Sequence, residues 1–128
     1  MPKVRIDLRK GKSLEEVQAI SNAIHQSLVR SIKIPTYDKL QMINEYPATH
    51  FYQPETVKGW FINIDIFLYP GRSKGAKRAL FHEMVKALEP LGFEKENIMI
   101  TLQEPLIENW GVNGVPADEV DLGYALDV

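Results

Sequence analysis

The second residue of the chain, Pro2, is the first candidate for chemistry. Cells usually remove an initiator methionine that precedes a small residue, and loss of Met1 would leave Pro2 with a free secondary amine. A terminal proline amine can take up and release a proton, whereas a proline inside a chain has no N–H and no basic nitrogen. Taken alone, the stretch favours the alternative that Pro2 is an ordinary second residue without a catalytic role.

Arg72 follows Pro70-Gly71 at the predicted start of a helix and is a candidate for binding a carboxylate. Backbone N–H groups at the amino end of a helix attract anions, and a guanidinium can hold a carboxylate by two hydrogen bonds. Hydrogen bonds to a charged group contribute about 1.5–3 kcal/mol, which is enough to orient a small acid. Considered alone, Arg72 is better explained as a solvated loop residue.

Four further side chains are weaker candidates: Tyr37, Asp38, His50 and Trp110. Asp38 follows a helix and a proline turn, so it either polarises a water or substrate carbonyl or hydrogen-bonds its own backbone, and Tyr37 has the same status. His50 lies in a loop beside two aromatic residues and is a candidate for lining a site. Trp110 either forms the wall of a pocket or fills the core.

The composition excludes several classes of function. The net charge is −2 with scattered Lys and Arg, which gives no electrostatic reason to expect nucleic acid. Cysteine is absent, the three histidines lack ligand spacing, and no nucleotide-binding or G-x-S-x-G motif occurs, so we expect no metal and no cofactor. No apolar run is long enough for a membrane span. We expect one cytoplasmic domain over residues 1–128.

The elements that position these candidates follow from hydrophobic periodicity. The stretch from Met1 to Leu8 is predicted to be a strand, because apolar and polar residues alternate in it, and Ser13-Leu14-Glu15-Glu16 forms a capping box that begins a helix. Further periodicity predicts strands over 39–46, 60–69 and 97–103 and a second helix over 74–91. Two β-α-β halves result, about 1–46 and 60–104, followed by a tail over 105–128.

The two halves resemble each other weakly, as an internal duplication would. Gly11-Lys12-Ser13 and Gly71-Arg72-Ser73 both precede a predicted helix. Right-handed crossovers place both helices on one face of a four-stranded mixed sheet, which is an α+β fold. The other face carries rings and pairable charges and is either solvated or packed against copies of itself. Phe61 and Phe67 on that face favour the symmetric oligomer.

Taken together, these positions resemble the tautomerase superfamily, most closely its malonate semialdehyde decarboxylase-like branch. The resemblance covers nearly the whole chain and depends on four features in order: Pro2, Pro35-Thr36-Tyr37-Asp38, Gly71-Arg72-Ser73 and Asn109-Trp110-Gly111. It implies a duplicated β-α-β fold, a homotrimer and catalysis by the amino-terminal proline without a cofactor.

The resemblance also implies a role for each matched residue. Pro2 is the catalytic amine, Arg72 binds the substrate carboxylate, Asp38 positions water or the carbonyl, and Trp110 belongs to the pocket wall. The decarboxylase pattern has R-x-R, whereas this chain has Pro70 in place of the first arginine. A second cation is therefore missing, or it comes from another residue or subunit.

The reaction expected first is keto–enol tautomerisation of a small oxo- or enol-carboxylate, since it needs one base and one carboxylate-binding group. Decarboxylation or hydration of a 3-oxo acid is the alternative, and a non-catalytic ligand-binding module with the same fold is another. An α-amino group titrates near about 7.7–8.0. Apolar walls favour a neutral Pro2 amine that acts as a base or forms an iminium, whereas Asp38 favours the ammonium, and the sequence leaves both directions open.

Overall fold

The computed structural model describes residues 2–123, so Met1 and residues 124–128 of the predicted tail lie outside the described residues. Its main elements are two helices and six strands. In chain order they are β1 (Lys3–Arg9), α1 (Leu14–Ile32), β2 (Gln41–Tyr46), β3 (Ile62–Phe67), α2 (Lys74–Leu88), β4 (Ile98–Gln103), β5 (Gly111–Val112) and β6 (Val115–Pro116).

The four long strands form one mixed sheet in the order β2-β1-β3-β4. β1 pairs in parallel with β2 and antiparallel with β3, and β3 pairs in parallel with β4. β5 and β6 form a separate hairpin after the sheet. The predicted α+β fold, with a four-stranded mixed sheet and two helices, is confirmed.

Both helices begin where the sequence predicts, at serine caps. The Ser13 hydroxyl accepts a hydrogen bond from the Glu16 N–H at 3.1 Å, and the Glu16 carboxylate accepts from the Ser13 N–H at 2.9 Å. At α2 the Ser73 hydroxyl also accepts from a backbone N–H, that of Ala76 at 3.1 Å, but Ala76 has no side chain to return the bond. The prediction that α2 extends to residue 91 is wrong, because Pro90 has no N–H to continue the α-helical ladder and residues 89–91 form a 3₁₀ turn instead.

The core lies between the helices and one face of the sheet. Alternate residues of β1 and β3 are fully buried there, and the predicted helical stripes supply the opposing layer. Ile64 is 0% exposed at the centre of this core. The buried apolar residues contributed by the sheet and helices are Val4, Ile6, Leu8, Ile20, Ile24, Leu28, Ile32, Ile62, Ile64, Ile66, Leu80, Met84 and Leu88.

The sheet face opposite the helices, called the open face below, carries the polar half of the alternation. Asp7 on β1 accepts hydrogen bonds from the side chains of Asn44, Tyr46 and Asn63 at 3.0–3.1 Å. Met99 on β4 is 55% exposed on this face. Among residues 2–123, neither helix is long and apolar enough to cross a membrane.

Replacing Ile64 by alanine should lower the free energy of unfolding by about 2–5 kcal/mol, since the change leaves a cavity in a closed core. Leu14→Ala removes a similar volume from a side chain that is 72% exposed and should change it by less than about 0.5 kcal/mol. Urea unfolding at fixed protein concentration measures both values. Equal losses in the two variants would contradict this placement of the core.

Candidate active site

The starts of β1 and β2 and the end of β3 lie side by side at the end of the sheet where the chain begins. Lys3, the first residue of β1, faces Phe67, the last residue of β3. The Val4 N–H donates to the Leu40 carbonyl just before β2, at 3.1 Å. Pro2 precedes β1 at this edge and is buried. The amino terminus of the described chain is therefore held between two neighbouring strands.

Arg72 brings a buried guanidinium to the same end of the sheet. The residue is 6% exposed, and its Nη1 donates to the Tyr69 carbonyl at 3.0 Å. Among residues 2–123, its buried Nε and Nη2 have no hydrogen-bond partner. Leaving two nitrogens of a buried guanidinium unsatisfied is energetically costly, so this geometry is suited to an anion that accepts from both of them.

Tyr69 links Arg72 to the other candidate residues. Its ring is 1% exposed and packs edge-on against Trp110, with 4.7 Å between ring centroids. Burial raises the pKa of the Tyr69 hydroxyl, and the negative charge of nearby Asp38 raises it further. The hydroxyl therefore stays protonated at neutral pH and is available as a hydrogen-bond donor.

Asp38 and Trp110 are held by their own loops. The Asp38 N–H donates to the Pro35 carbonyl at 3.1 Å, which fixes the turn after α1. Its negative charge raises the pKa of Tyr69, so this turn residue also contributes to the electrostatics of the site. The Trp110 indole N–H donates to the Pro105 carbonyl at 3.3 Å. The indole N–H of Trp110 therefore has a hydrogen-bond partner, and its ring can serve as an apolar wall.

Tyr69 and Trp110 line a cleft of about 370 Å³ at the end of the sheet where the chain begins, called the Pro2 cleft below because Lys3, the neighbour of Pro2, also lines it. Pro2, Asp38 and Arg72 are not among its lining residues. A hollow of about 490 Å³ between Glu16 of α1 and Leu91 contains none of the candidate residues, so volume alone is a poor guide here. The Pro2 cleft is lined by Lys3, Leu40, Phe67, Tyr69, Pro105, Asn109, Trp110, Gly111 and Val112.

Tyr37 and His50, two further predicted site residues, do not line this cleft. Tyr37 is 84% exposed on the turn that carries Asp38. His50 follows the far end of β2, whose six residues span about 20 Å. It lines a separate hollow with Asp7 and Tyr52, and its Nδ1 lies 2.8 Å from the Thr49 hydroxyl.

The structure also adds residues that the sequence analysis did not identify. Tyr69, Leu40 and Lys3 line the Pro2 cleft, and they come from strand ends that were interpreted only as sheet residues. The available signal was the position of Tyr69, three residues before Arg72 at the end of a strand. Within the described part of the chain, no three His, Cys, Asp or Glu side chains are grouped closely enough to hold a metal ion.

Replacing Asp38 by asparagine should lower the pKa of Tyr69 without returning it to the ordinary value, because burial is the larger cause of the shift. The matched control is Asp7→Asn, which should lower the raised pKa of Tyr46, since Asp7 accepts the hydrogen bond of that hydroxyl. NMR titration of labelled tyrosine rings follows both groups. A Tyr69 pKa that responds to Asp7→Asn and not to Asp38→Asn would contradict the geometry.

Comparison with known proteins identifies the family. Two family models, each described as tautomerase enzyme, match residues 2–59 and residues 38–113. The probable tautomerase YusQ of Bacillus subtilis is 31% identical over 127 residues, covering 94% of this chain and all of YusQ. The 2-hydroxymuconate tautomerase of Pseudomonas putida is 36% identical over 56 residues, which is 43% of this chain and 89% of that enzyme.

Solved structures share the fold. A malonate semialdehyde decarboxylase inhibited by 3-bromopropiolate is 26% identical with a TM-score of 0.76, covering 84% of this chain and 86% of the other. A fused 4-OT symmetric trimer is 22% identical with a TM-score of 0.79, covering 90% and 95%. From the two family models and the full-length relative, we conclude that this chain belongs to the tautomerase superfamily.

Proposed function

We propose that this chain catalyses keto–enol tautomerisation of a small oxo- or enol-carboxylate, with the free amine of Pro2 as the acid–base group. The observation that carries the proposal is Arg72, whose buried guanidinium has two nitrogens without a partner among residues 2–123. A carboxylate is the small anion that matches two adjacent N–H donors. Family membership supports an enzyme of this class.

The proposed reaction begins with the substrate carboxylate on Arg72 and the reacting carbons at the Pro2 nitrogen. The neutral amine removes the proton of the enol hydroxyl, and the electron pair moves from oxygen through the double bond to the terminal carbon. That carbon takes a proton from the ammonium of Pro2, which returns the amine to its neutral form. No atom is gained or lost, so the proposed chemistry needs no cofactor.

The surroundings of Pro2 suit a group that must both accept and donate a proton. Apolar cleft walls, including Leu40 and Trp110, disfavour the ammonium and lower the pKa of an amine, whereas the charge of Asp38 favours the ammonium. Opposed influences of this kind keep the pKa of an α-amino group near neutral pH, where a general base is most effective. The protonated Tyr69 hydroxyl is a candidate donor to the substrate oxygen.

Decarboxylation of a 3-oxo acid is the second candidate, favoured by the 26% identity to a malonate semialdehyde decarboxylase. We place it second because Pro70 occupies the position of an arginine in the decarboxylase pattern. A substrate panel separates the two reactions, since decarboxylation releases carbon dioxide and tautomerisation does not. If the wild-type protein converts all tested oxo- and enol-acids no faster than buffer alone does, a ligand-binding module is favoured instead.

We also propose a homotrimer, supported by the trimeric fused 4-OT structures of the same fold. The open face offers a surface for this assembly, because rings such as Phe61 and Phe67 are only half-buried beside polar groups.

Pro2→Ala should lower kcat/KM for an enol acid such as phenylenolpyruvate by roughly 10²- to 10⁴-fold, which is the usual contribution of a positioned acid–base group. A control keeps the ring but blocks its nitrogen: inserting one alanine between Met1 and Pro2 should abolish activity equally. Intact mass must show that the active wild-type species lacks Met1. Full activity with Met1 retained would disprove catalysis by Pro2.

Arg72→Ala should lower kcat/KM by roughly 10- to 100-fold, because the carboxylate loses its charged hydrogen bonds. Arg72→Lys keeps the charge but not the two-pronged geometry, so it should recover only part of the rate. Arg78→Ala changes an exposed arginine on α2 and serves as the matched control. Equal losses for Arg72→Ala and Arg78→Ala, with circular dichroism unchanged, would argue against carboxylate binding by Arg72.

Light scattering at micromolar concentration should give about three times the 14.6 kDa of one chain. Met99→Glu places a charge on the open face and should shift the mass toward the monomer, whereas Leu14→Glu on α1 should not. A monomeric wild type would overturn the proposed assembly.

A further inference from the structure

His25 is a buried histidine on α1 that the proposed reaction does not use. The residue is 5% exposed, and its Nε2 lies 2.7 Å from the carbonyl oxygen of Thr36. Thr36 lies in the turn after α1, two residues before Asp38. Because His25 and Thr36 are 11 positions apart in the chain, their hydrogen bond joins the helix to the turn and is not part of the helix itself.

The surroundings of the His25 ring indicate which of its nitrogens carries the hydrogen. A carbonyl oxygen can only accept, so Nε2 donates to Thr36. Nδ1 is also buried and has no hydrogen-bond partner among residues 2–123. A hydrogen on Nδ1 would be a buried donor without an acceptor, and the lone pair of Nε2 would then face those of the Thr36 oxygen. The hydrogen-bond network therefore favours the Nε2–H tautomer of the neutral ring.

Helix α1 binds the segment that contains Asp38 on both sides of that residue. On the amino-terminal side, His25 binds Thr36. On the carboxyl-terminal side, the Ser21 hydroxyl donates to the side-chain oxygen of Gln41 at 2.6 Å, and the Gln41 amide donates to the Ser21 carbonyl at 3.1 Å. Asp38 therefore lies in a short segment whose two ends are both fixed to the same helix.

The same segment borders the candidate active site. The carbonyl of Leu40, which lines the Pro2 cleft, accepts from the Val4 N–H at 3.1 Å near the start of β1. The negative charge of Asp38 raises the pKa of the Tyr69 hydroxyl. Since the energy of a charge interaction depends on distance, movement of the turn would change the effect of Asp38 on Tyr69.

We propose that His25 is a positioning residue of the candidate active site: its Nε2–H holds the Thr36 carbonyl and so fixes the turn that places Asp38 near Tyr69. Because the imidazole is buried, water cannot readily replace it as a donor when the side chain is changed. Any effect of His25 on turnover rests on the proposed function, whereas its effect on the position of Asp38 does not.

Two amide variants that differ in reach test the hydrogen bond. His25→Gln places an N–H donor near the position of Nε2, whereas the shorter side chain of His25→Asn ends near the position of Nδ1 and leaves Thr36 without its donor. His25→Asn should lower the pKa of Tyr69 as Asp38→Asn does, and His25→Gln should leave it close to the wild-type value. NMR titration of labelled tyrosine rings measures these values. An unchanged Tyr69 pKa in His25→Asn would overturn the inference.

A double-mutant cycle separates the positioning of Asp38 from a general effect on the fold. In Asp38→Asn, which has no charge to place, His25→Asn should cause no further change in the pKa of Tyr69. A second decrease of equal size in that background would contradict the inference, because His25 would then act independently of Asp38. The control Asn22→Ala removes an exposed hydrogen bond from the Lys39 ammonium on the same segment and should leave the pKa of Tyr69 unchanged.

The tautomer of His25 gives a test that needs no variant. Nitrogen NMR of the wild-type protein should show the hydrogen of the neutral ring on Nε2. A ring with its hydrogen on Nδ1 would overturn the inference, since Nε2 could then not donate to Thr36. This measurement keeps the inference testable if His25→Asn does not fold.

Turnover distinguishes failure of this inference from failure of the proposed function. With an enol acid, His25→Asn should lower kcat/KM by roughly 10- to 100-fold, because a small displacement of a catalytic group is costly, and His25→Gln should recover most of the rate. Equal losses in the two variants would contradict positioning by the Nε2–H. A wild type that turns over no enol acid would refute the proposed reaction, and the pKa values of Tyr69 would still decide the role of His25.

Discussion

The pairing of β1 with a strand on each side is the constraint on which the rest of the site depends. Chain termini normally fray, because nothing holds their backbone groups. Here the first strand lies inside the sheet, bonded to β2 and β3 along its length. A misplacement of about 1 Å can cost a catalytic group roughly 10²-fold in rate, and a terminal residue is held that accurately only when its strand is fixed in this way.

The amino ends of the two helices differ in the charges that lie next to the positive end of each helix dipole. Helix α1 begins with Glu15 and Glu16, which complement the positive end of its dipole. Helix α2 has no acidic residue in its first turn and is preceded by the buried Arg72. A cation is electrostatically unfavourable at the amino end of a helix, and a bound anion would offset this cost. Such departures from local rules are expected at functional sites.

Most of the fold follows from the sequence because its signals are local and periodic. Alternation in β1 and β3, serine caps at Ser13 and Ser73, and two apolar helical stripes define the elements, and the right-handed crossover rule places both helices on one face. The end of α2 at Leu88 could not be predicted from the apolar stripe, because Pro90 interrupts the backbone ladder while Leu91 still packs against the core.

The candidate site was less accessible to sequence reasoning, since it depends on which ends of which strands meet. Arg72, Asp38 and Trp110 have recognisable positions relative to helices and turns. Tyr69 instead lines the cleft because it follows the end of β3, where the β1–β3 register brings Lys3 opposite Phe67. His50 lies beside aromatic residues in the sequence, yet the length of β2 carries it to a different hollow. Proximity along the chain was therefore a poor guide to proximity in space.

The free amine of Pro2 is the central claim, and titration of its nitrogen tests it most directly. NMR of protein labelled at proline nitrogen, recorded across the neutral pH range, should show one titrating secondary amine. Its pKa should coincide with the limb of the kcat/KM profile that reports the free enzyme's base. A Pro2 nitrogen that does not titrate, in a protein that still turns over enol acids, would contradict the account.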